Sequence, residues 1–171
     1  MKYKPVVYES ADEATVIYDT GRCDVYTTDA SALASRRTVL TKPEDHIILP
    51  EIISKEPLGP AVRQGDQQWS DIVRWTLFAL INGEELGITS QNVDAMKKST
   101  NPAVKRFLGV DGDYGQHLGL TADWAYRIIK HVGNYGEIFD RNVGENSLLK
   151  LDRGDNRQWT EGGLIYSPPF R

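Results

Sequence analysis

Cysteine, histidine, basic charge in excess and long apolar runs are all scarce in this 171-residue sequence, and each scarcity excludes something. A single thiol, Cys23, closes no internal disulfide, so cysteine usage leaves the redox compartment open. The longest apolar run, Trp75–Ile81, falls far short of the roughly 20 residues that a membrane-crossing helix needs. Lys and Arg number 20 against 24 Asp and Glu, a formal charge of −4. Such a balance argues against a nucleic-acid face, which needs clustered cations to displace phosphate counterions. It favours neither acidic substrates nor anionic membrane surfaces. The opening residues, Met1-Lys2-Tyr3-Lys4-Pro5, lack the apolar stretch and small-residue cleavage site of a secretory signal, so the expectation is a cytosolic chain or one whose start has been lost.

Motifs of several chemistries are missing too. No glycine-rich loop precedes Lys-Ser or Lys-Thr, and no Gly-x-Ser-x-Gly elbow occurs, so nucleotide hydrolysis and acyl transfer have no support. His46, His117 and His131 have no mutual spacing suited to zinc. Asp111-Gly112-Asp113 lacks the further oxygen ligands of a calcium loop. Neither a metal nor a cofactor is expected. Arg153-Gly154-Asp155 spells an adhesion tripeptide, but its expected role is a turn.

What the sequence does contain is a soluble globular composition, 40% hydrophobic and 26% charged, enough for one ordinary domain or two small ones. Pro5–Glu9 is rich in β-branched and aromatic residues and reads as a strand. Ser10 then stands three residues before Glu13, the capping-box spacing, which predicts a helix over Ala11–Asp19 stopping at Gly21. A second strand is expected over Cys23–Thr27, and Asp29 stands at the N-cap of a helix beginning Ala30-Ser31-Ala32. Ile47–Leu49 reads as a third strand. Alternation of strand and helix with short connections predicts a small parallel α/β layer, whose ligands bind at the carboxyl ends of the strands.

Beyond residue 56 the pattern changes. Pro57 and Pro60 hold their neighbours extended, as in a segment crossing between two bodies. From Trp69 the residues Ile72, Val73, Thr76, Leu77, Leu80 and Ile81 keep helical spacing, with Asp66 as cap and Gly83 as terminator. Thr121 is expected to cap a second helix carrying Trp124, Ala125, Ile128, Ile129 and Val132 and stopping at Gly133. Shorter helices are expected around Asn92–Lys98, Pro102–Leu108 and Gly136–Asn142, and no long element after Ser147. Helical phasing places Trp69 and Trp124 in the core.

The candidate site is Thr27-Thr28-Asp29. A strand ending in two hydroxyls and a carboxylate at a helix start puts these groups on the ligand side of an α/β layer. A carboxylate there accepts a charge-assisted hydrogen bond from an ammonium, worth on the order of 1.5–3 kcal/mol. Asp is equally a preferred N-cap residue, so spacing alone also fits a carboxylate that does nothing but cap its helix.

Longer runs carry a family resemblance. Tyr18 through Leu33 resembles the second-lobe segment of the polar amino-acid-binding proteins that serve ATP-binding-cassette (ABC) importers. Leu49 through Asp66 resembles the crossing segment of the general L-amino-acid receptors within that family, and Trp69–Leu77, Val132–Glu137 and the terminal Ser167–Arg171 are also similar to it. The resemblance covers essentially the whole chain.

It implies part of an α/β, type II periplasmic-binding-protein (flytrap) fold, in which an L-amino acid is held between two lobes and delivered to a membrane permease. Residues 1–56 would be the latter part of lobe two, 57–65 a crossing segment, and 66–171 the helical C-terminal part that packs on lobe one. Asp29 matches the acidic residue that receives the ligand's α-amino group, with Thr28 and Thr27 beside it on the cleft wall. The arginine that clamps the α-carboxylate belongs to a first lobe that this chain does not include. Cys23 resembles one half of a lobe-two disulfide whose partner lies in that missing part. The implied location is periplasmic, with the signal sequence absent from this chain, and the implied activity is binding without catalysis. A dehydratase-like enzyme on the same fold and an inactive truncated fragment are the alternatives.

Overall fold

The computed structural model describes residues 2–55 and 57–170. Met1, Glu56, the last residue assigned above to lobe two, and the terminal Arg171 lie outside the described residues. The chain divides into two compact units, one holding residues up to Pro57 with Leu148–Leu151, the other Leu58–Ser147 with the chain from Asp152 onward.

The first unit is built on α1 (Ala11–Asp19) and α2 (Ala30–Arg37). Ser10 caps α1 as its spacing predicts, its hydroxyl accepting from the Glu13 N–H at 3.2 Å. Polar ties do much of the cross-linking. Asp19 at the end of α1 accepts from the Thr41 N–H at 3.1 Å and from its hydroxyl at 2.7 Å. The Tyr18 hydroxyl and His46 Nδ1 share a hydrogen bond of 2.8 Å, and Arg36 on α2 pairs with Asp12 on α1. Thr15, Ala34 and Leu40 are its buried residues.

None of the three expected strands forms. Pro5–Glu9, Cys23–Thr27 and Ile47–Leu49 are irregular, and the bridge between Gln158 and Ile165 is the only β pairing among the described residues. The physical reason lies in how each element satisfies its backbone. A helix bonds its own N–H groups to carbonyls four residues back, whereas a strand exists only through a neighbour. An apolar, β-branched run announces a surface meant for covering, not the presence of its cover. Val7, Val25 and Ile47 are accordingly 89%, 67% and 79% exposed.

The second unit is helical: α3 (Gln67–Glu85), α4 (Val93–Met96), α5 (Pro102–Phe107), α6 (Trp124–Val132) and α7 (Tyr135–Asn142). The long α3 packs against α6 and α7, and α4 packs against α6. Asp66 caps α3, accepting from the Trp69 N–H at 2.9 Å. Its core holds Ala79, Ile88, Val93, Val104, Phe107, Leu108, Trp124 and Ile129. Phe170, near the end of the chain, meets Trp75 and Phe107 edge-on at 5.4 and 5.2 Å and stacks on Trp124 at 5.8 Å. Those aromatic contacts fasten the irregular tail to the helices.

Three expectations change here. Gly83 does not end α3 but lies buried inside it, because a Cβ at this point would come within 2.8 Å of Ile129 Cδ1 on α6. Glycine is required there by close approach, not by chain reversal. The start of α6 shifts from Thr121 to Asp123, and the Thr121 hydroxyl instead donates to the Asp123 carboxylate at 2.6 Å. Trp69 is half exposed in the first turn of α3, while Trp124 is buried. Gly133 does stop α6, at φ +84° where a side chain is disfavoured. The next residue opens α7 with a reciprocal capping box between Asn134 and Glu137.

Candidate functional site

Thr27, Thr28 and Asp29 occupy the loop that enters α2, the two threonines exposed and Asp29 partly buried. Asp29 has extended geometry (φ −57°, ψ 147°), and its carbonyl accepts from the Leu33 N–H at 2.8 Å to start the helix. Its side chain makes no capping bond. Nor do the side chains of Thr27, Thr28 and Asp29 engage in a hydrogen bond or ion pair with any described residue. The reading in which Asp29 serves only as a cap therefore loses its contact. The three residues are consecutive, so one carboxylate acceptor and two hydroxyls lie side by side in the chain.

The other sequence signals resolve into structural roles. Arg153 of the Arg-Gly-Asp tripeptide forms an ion pair with Glu84 on α3, and the Asp155 carbonyl accepts from the Leu164 N–H at 2.8 Å. Asp111 and Asp113 are exposed, and no cluster of three or more His, Cys, Asp or Glu with metal-holding geometry occurs among the described residues. Cys23 is a partly buried free thiol. No described helix is long and apolar enough to cross a membrane.

Sequence reasoning did not single out two features of the second unit. One is the carboxylate of Glu137, which accepts from the Ser90 hydroxyl at 2.6 Å, the Ser90 N–H at 3.0 Å and the Asn134 N–H at 2.8 Å. Burial pushes its pKa up, but the bonds from Ser90 and Asn134, with the nearby Arg141, outweigh burial and leave it below the usual glutamate value. The Asn-x-x-Glu spacing could have revealed the cap but not the distant Ser90. The other is an open groove of about 430 Å³ lined by Leu120, Thr121, Trp124, Arg127 and Ile128. Its lining includes none of Thr27, Thr28 and Asp29 and no carboxylate.

No family model matches the sequence. Individual proteins do. The general L-amino acid-binding periplasmic protein AapJ of Rhizobium johnstonii is 62% identical over the whole of this chain, which covers 51% of that protein. The glutamate/glutamine/aspartate/asparagine-binding protein BztA of Rhodobacter capsulatus is 52% identical, again over the whole chain and 51% of its own length. A solved structure of an ABC-transporter periplasmic binding protein from Brucella ovis, with glutathione bound, superposes with a TM-score of 0.93 at 59% identity, covering the whole chain and 54% of that protein. The chain thus spans about half the length of the relatives it matches. Over that span it is similar to amino-acid-binding periplasmic proteins of ABC transporters at 52–62% identity.

Proposed function

We propose that this chain is the C-terminal half of the substrate-binding component of an amino-acid importer. The observation that carries this reading is similarity along every part of the chain to relatives named for amino-acid binding. Residues 1–56 then supply the latter part of lobe two, 57–65 a crossing segment, and 66–171 the helical part that packs on lobe one. In the two-lobed protein the lobes close around an L-amino acid, a hinge transition favoured because the closed state makes contacts the open state lacks. The loaded protein then delivers its ligand to a membrane permease on the periplasmic side. Binding and release need no bond making or breaking.

Asp29 receives the α-ammonium in this scheme, flanked by Thr28 and Thr27. Its carboxylate has no capping bond or ion pair among the described residues to give up, so a ligand competes only with water for it. The test is a two-lobed chimera in which this chain replaces the matching half of the Rhizobium johnstonii relative. Replacing Asp29 by Ala is expected to weaken amino-acid binding by about 2–5 kcal/mol, since a buried ammonium loses its partner. Calorimetry showing undiminished affinity removes Asp29 from the site.

A second ligand class is favoured by the glutathione in the Brucella ovis structure. The γ-linked glutamyl end of glutathione keeps a free α-ammonium and α-carboxylate, the same head group as a free amino acid. Titrating the chimera with glutathione, glutamate and alanine separates the readings: tighter binding of glutathione identifies a peptide-like ligand, and tighter binding of glutamate or alanine a free amino acid. Steady product formation from any of them would establish the dehydratase-like alternative instead.

A further inference from the structure

Asn82 is the only asparagine in the sequence that a glycine follows. In an unfolded chain such a pair is labile, because the glycine nitrogen has no Cβ beside it to hinder its approach to the asparagine side-chain carbonyl. Here the pair lies inside α3, with Asn82 only 9% exposed and Gly83 buried. Helical backbone geometry directs the Gly83 nitrogen away from the Asn82 side chain, and its N–H is committed to the carbonyl four residues back. The carbonyls of Asn82 and Gly83 accept from the Leu86 and Ile88 N–H groups at 2.9 and 2.8 Å, which pins the same stretch from the other side. Ile129 Cδ1 closes over Gly83, so the packing that shields the pair is also what requires its glycine.

We infer that Asn82 is a modification site opened by the melting of α3, and that its chemistry makes unfolding of the second unit irreversible. In the melted chain the Gly83 nitrogen attacks Asn82 Cγ. The N–Cγ bond forms, the Cγ–Nδ2 bond breaks, and ammonia leaves with the proton that the Gly83 nitrogen gives up. Water then opens the cyclic imide at either carbonyl, leaving aspartate or, with the main chain routed through Cγ, isoaspartate. Nothing is oxidised or reduced, and water is the only reactant added. Neither product fits the folded site. Aspartate places an unpaired anion at a buried position two residues from Glu84. Isoaspartate adds a backbone methylene that throws the bonds to Leu86 and Ile88 out of register.

The chain is incubated in mildly alkaline buffer with and without guanidinium chloride above its unfolding midpoint. Samples are digested briefly in acid, and amide loss and isoaspartate at residue 82 are followed by peptide mass spectrometry. Deamidation is slow beside reclosing, so the native rate tracks the population of the open form and is expected to be at least a hundredfold below the unfolded rate. Ile129→Val, distant in sequence, is expected to raise the native rate at least twofold and leave the unfolded rate unchanged. On removal of denaturant, chains modified at residue 82 are expected to be missing from the refolded fraction, and Asn82→Gln is expected to keep its refolding yield through the same incubation. Equal rates in the native and unfolded chain, an unmodified Asn82 after prolonged unfolding, a native rate indifferent to Ile129→Val, or modified chains that refold alongside the parent overturns the inference. If Asn82→Gln does not fold, the rates and the composition of the refolded parent decide alone.

Discussion

Arg153 and Glu84 form an ion pair in which each side chain is only 17% exposed, joining the irregular C-terminal region to the middle of the chain. A second bond between them, Arg153 Nη2 to Glu84 Oε2, measures 3.1 Å, and Gln158 Nε2 donates to the same oxygen at 3.0 Å. Gln158 also reaches the Ile81 carbonyl at 3.0 Å, so two stretches distant in sequence, one holding Ile81 and Glu84 and the other Arg153 and Gln158, share one polar knot. Breaking such a pair from one side leaves a charge without its partner. Glu84→Ala is expected to destabilise the second unit by about 3 kcal/mol, the low end for buried pairs because some water reaches this one. Urea denaturation checks the value, and the Glu84→Met/Arg153→Met double variant should lose less than either single one.

Gly83 makes a complementary prediction about space. Alanine would gain about 1 kcal/mol of helix propensity, but its Cβ would collide with the Ile129 side chain. Overpacking costs typically 1–3 kcal/mol, so Gly83→Ala should be destabilising by about 1 kcal/mol net. Because the obstructing atom is Ile129 Cδ1, which valine lacks, the Gly83→Ala/Ile129→Val double variant should be more stable than the two single effects summed. A thermal-denaturation cycle showing strict additivity would reject the contact.

The pH dependence of stability should carry the signature of Glu137. Its pKa is lowered in the folded protein, so it binds its proton less readily there than in the unfolded chain. The stabilisation is fully present above the ordinary glutamate pKa, near 4.5, and is lost as pH falls through the lower folded value. Glu137→Gln should therefore be less stable than the parent at neutral pH and converge on it in acid. Denaturant titrations across that range give the answer, and a difference that persists unchanged at the acid end would show that the bonds to Ser90 and Asn134 do not depend on charge.

Asp29 should be silent in stability. A carboxylate that capped α2 would cost about 1 kcal/mol when replaced by alanine. Here no side-chain cap bond exists, and Asp29→Ala is expected to leave the melting of this chain within about 0.5 kcal/mol of the parent, as for surface changes away from any specific contact. A clear destabilisation would mean that the side chain caps its helix in solution.

Helices were legible in the sequence because each satisfies its own backbone and displays its buried stripe at a fixed spacing. Ser10 and Asp66 marked two starts directly, and Gly133 marked a stop. Gly83 was misread because a glycine that ends a helix and one that admits a neighbouring helix look alike until the neighbour, Ile129, is placed. Trp69 was misread because helical phase says which face a residue occupies but not whether the core extends as far as its turn. At the candidate site, Thr27, Thr28 and Asp29 could be named from their order along the chain, whereas the idleness of the Asp29 side chain could not.

Taken alone, the order of residues determined where this chain coils, which faces of those coils are apolar, and to which relatives it is akin. Tertiary structure alone decided that Glu84 would meet Arg153, that Ser90 would bind Glu137, and that the three β-branched runs would stand without ladders. The difference is physical. Helical bonds and caps close within four residues and are written locally, whereas ion pairs across 69 residues and sheet ladders depend on partners that no local pattern specifies.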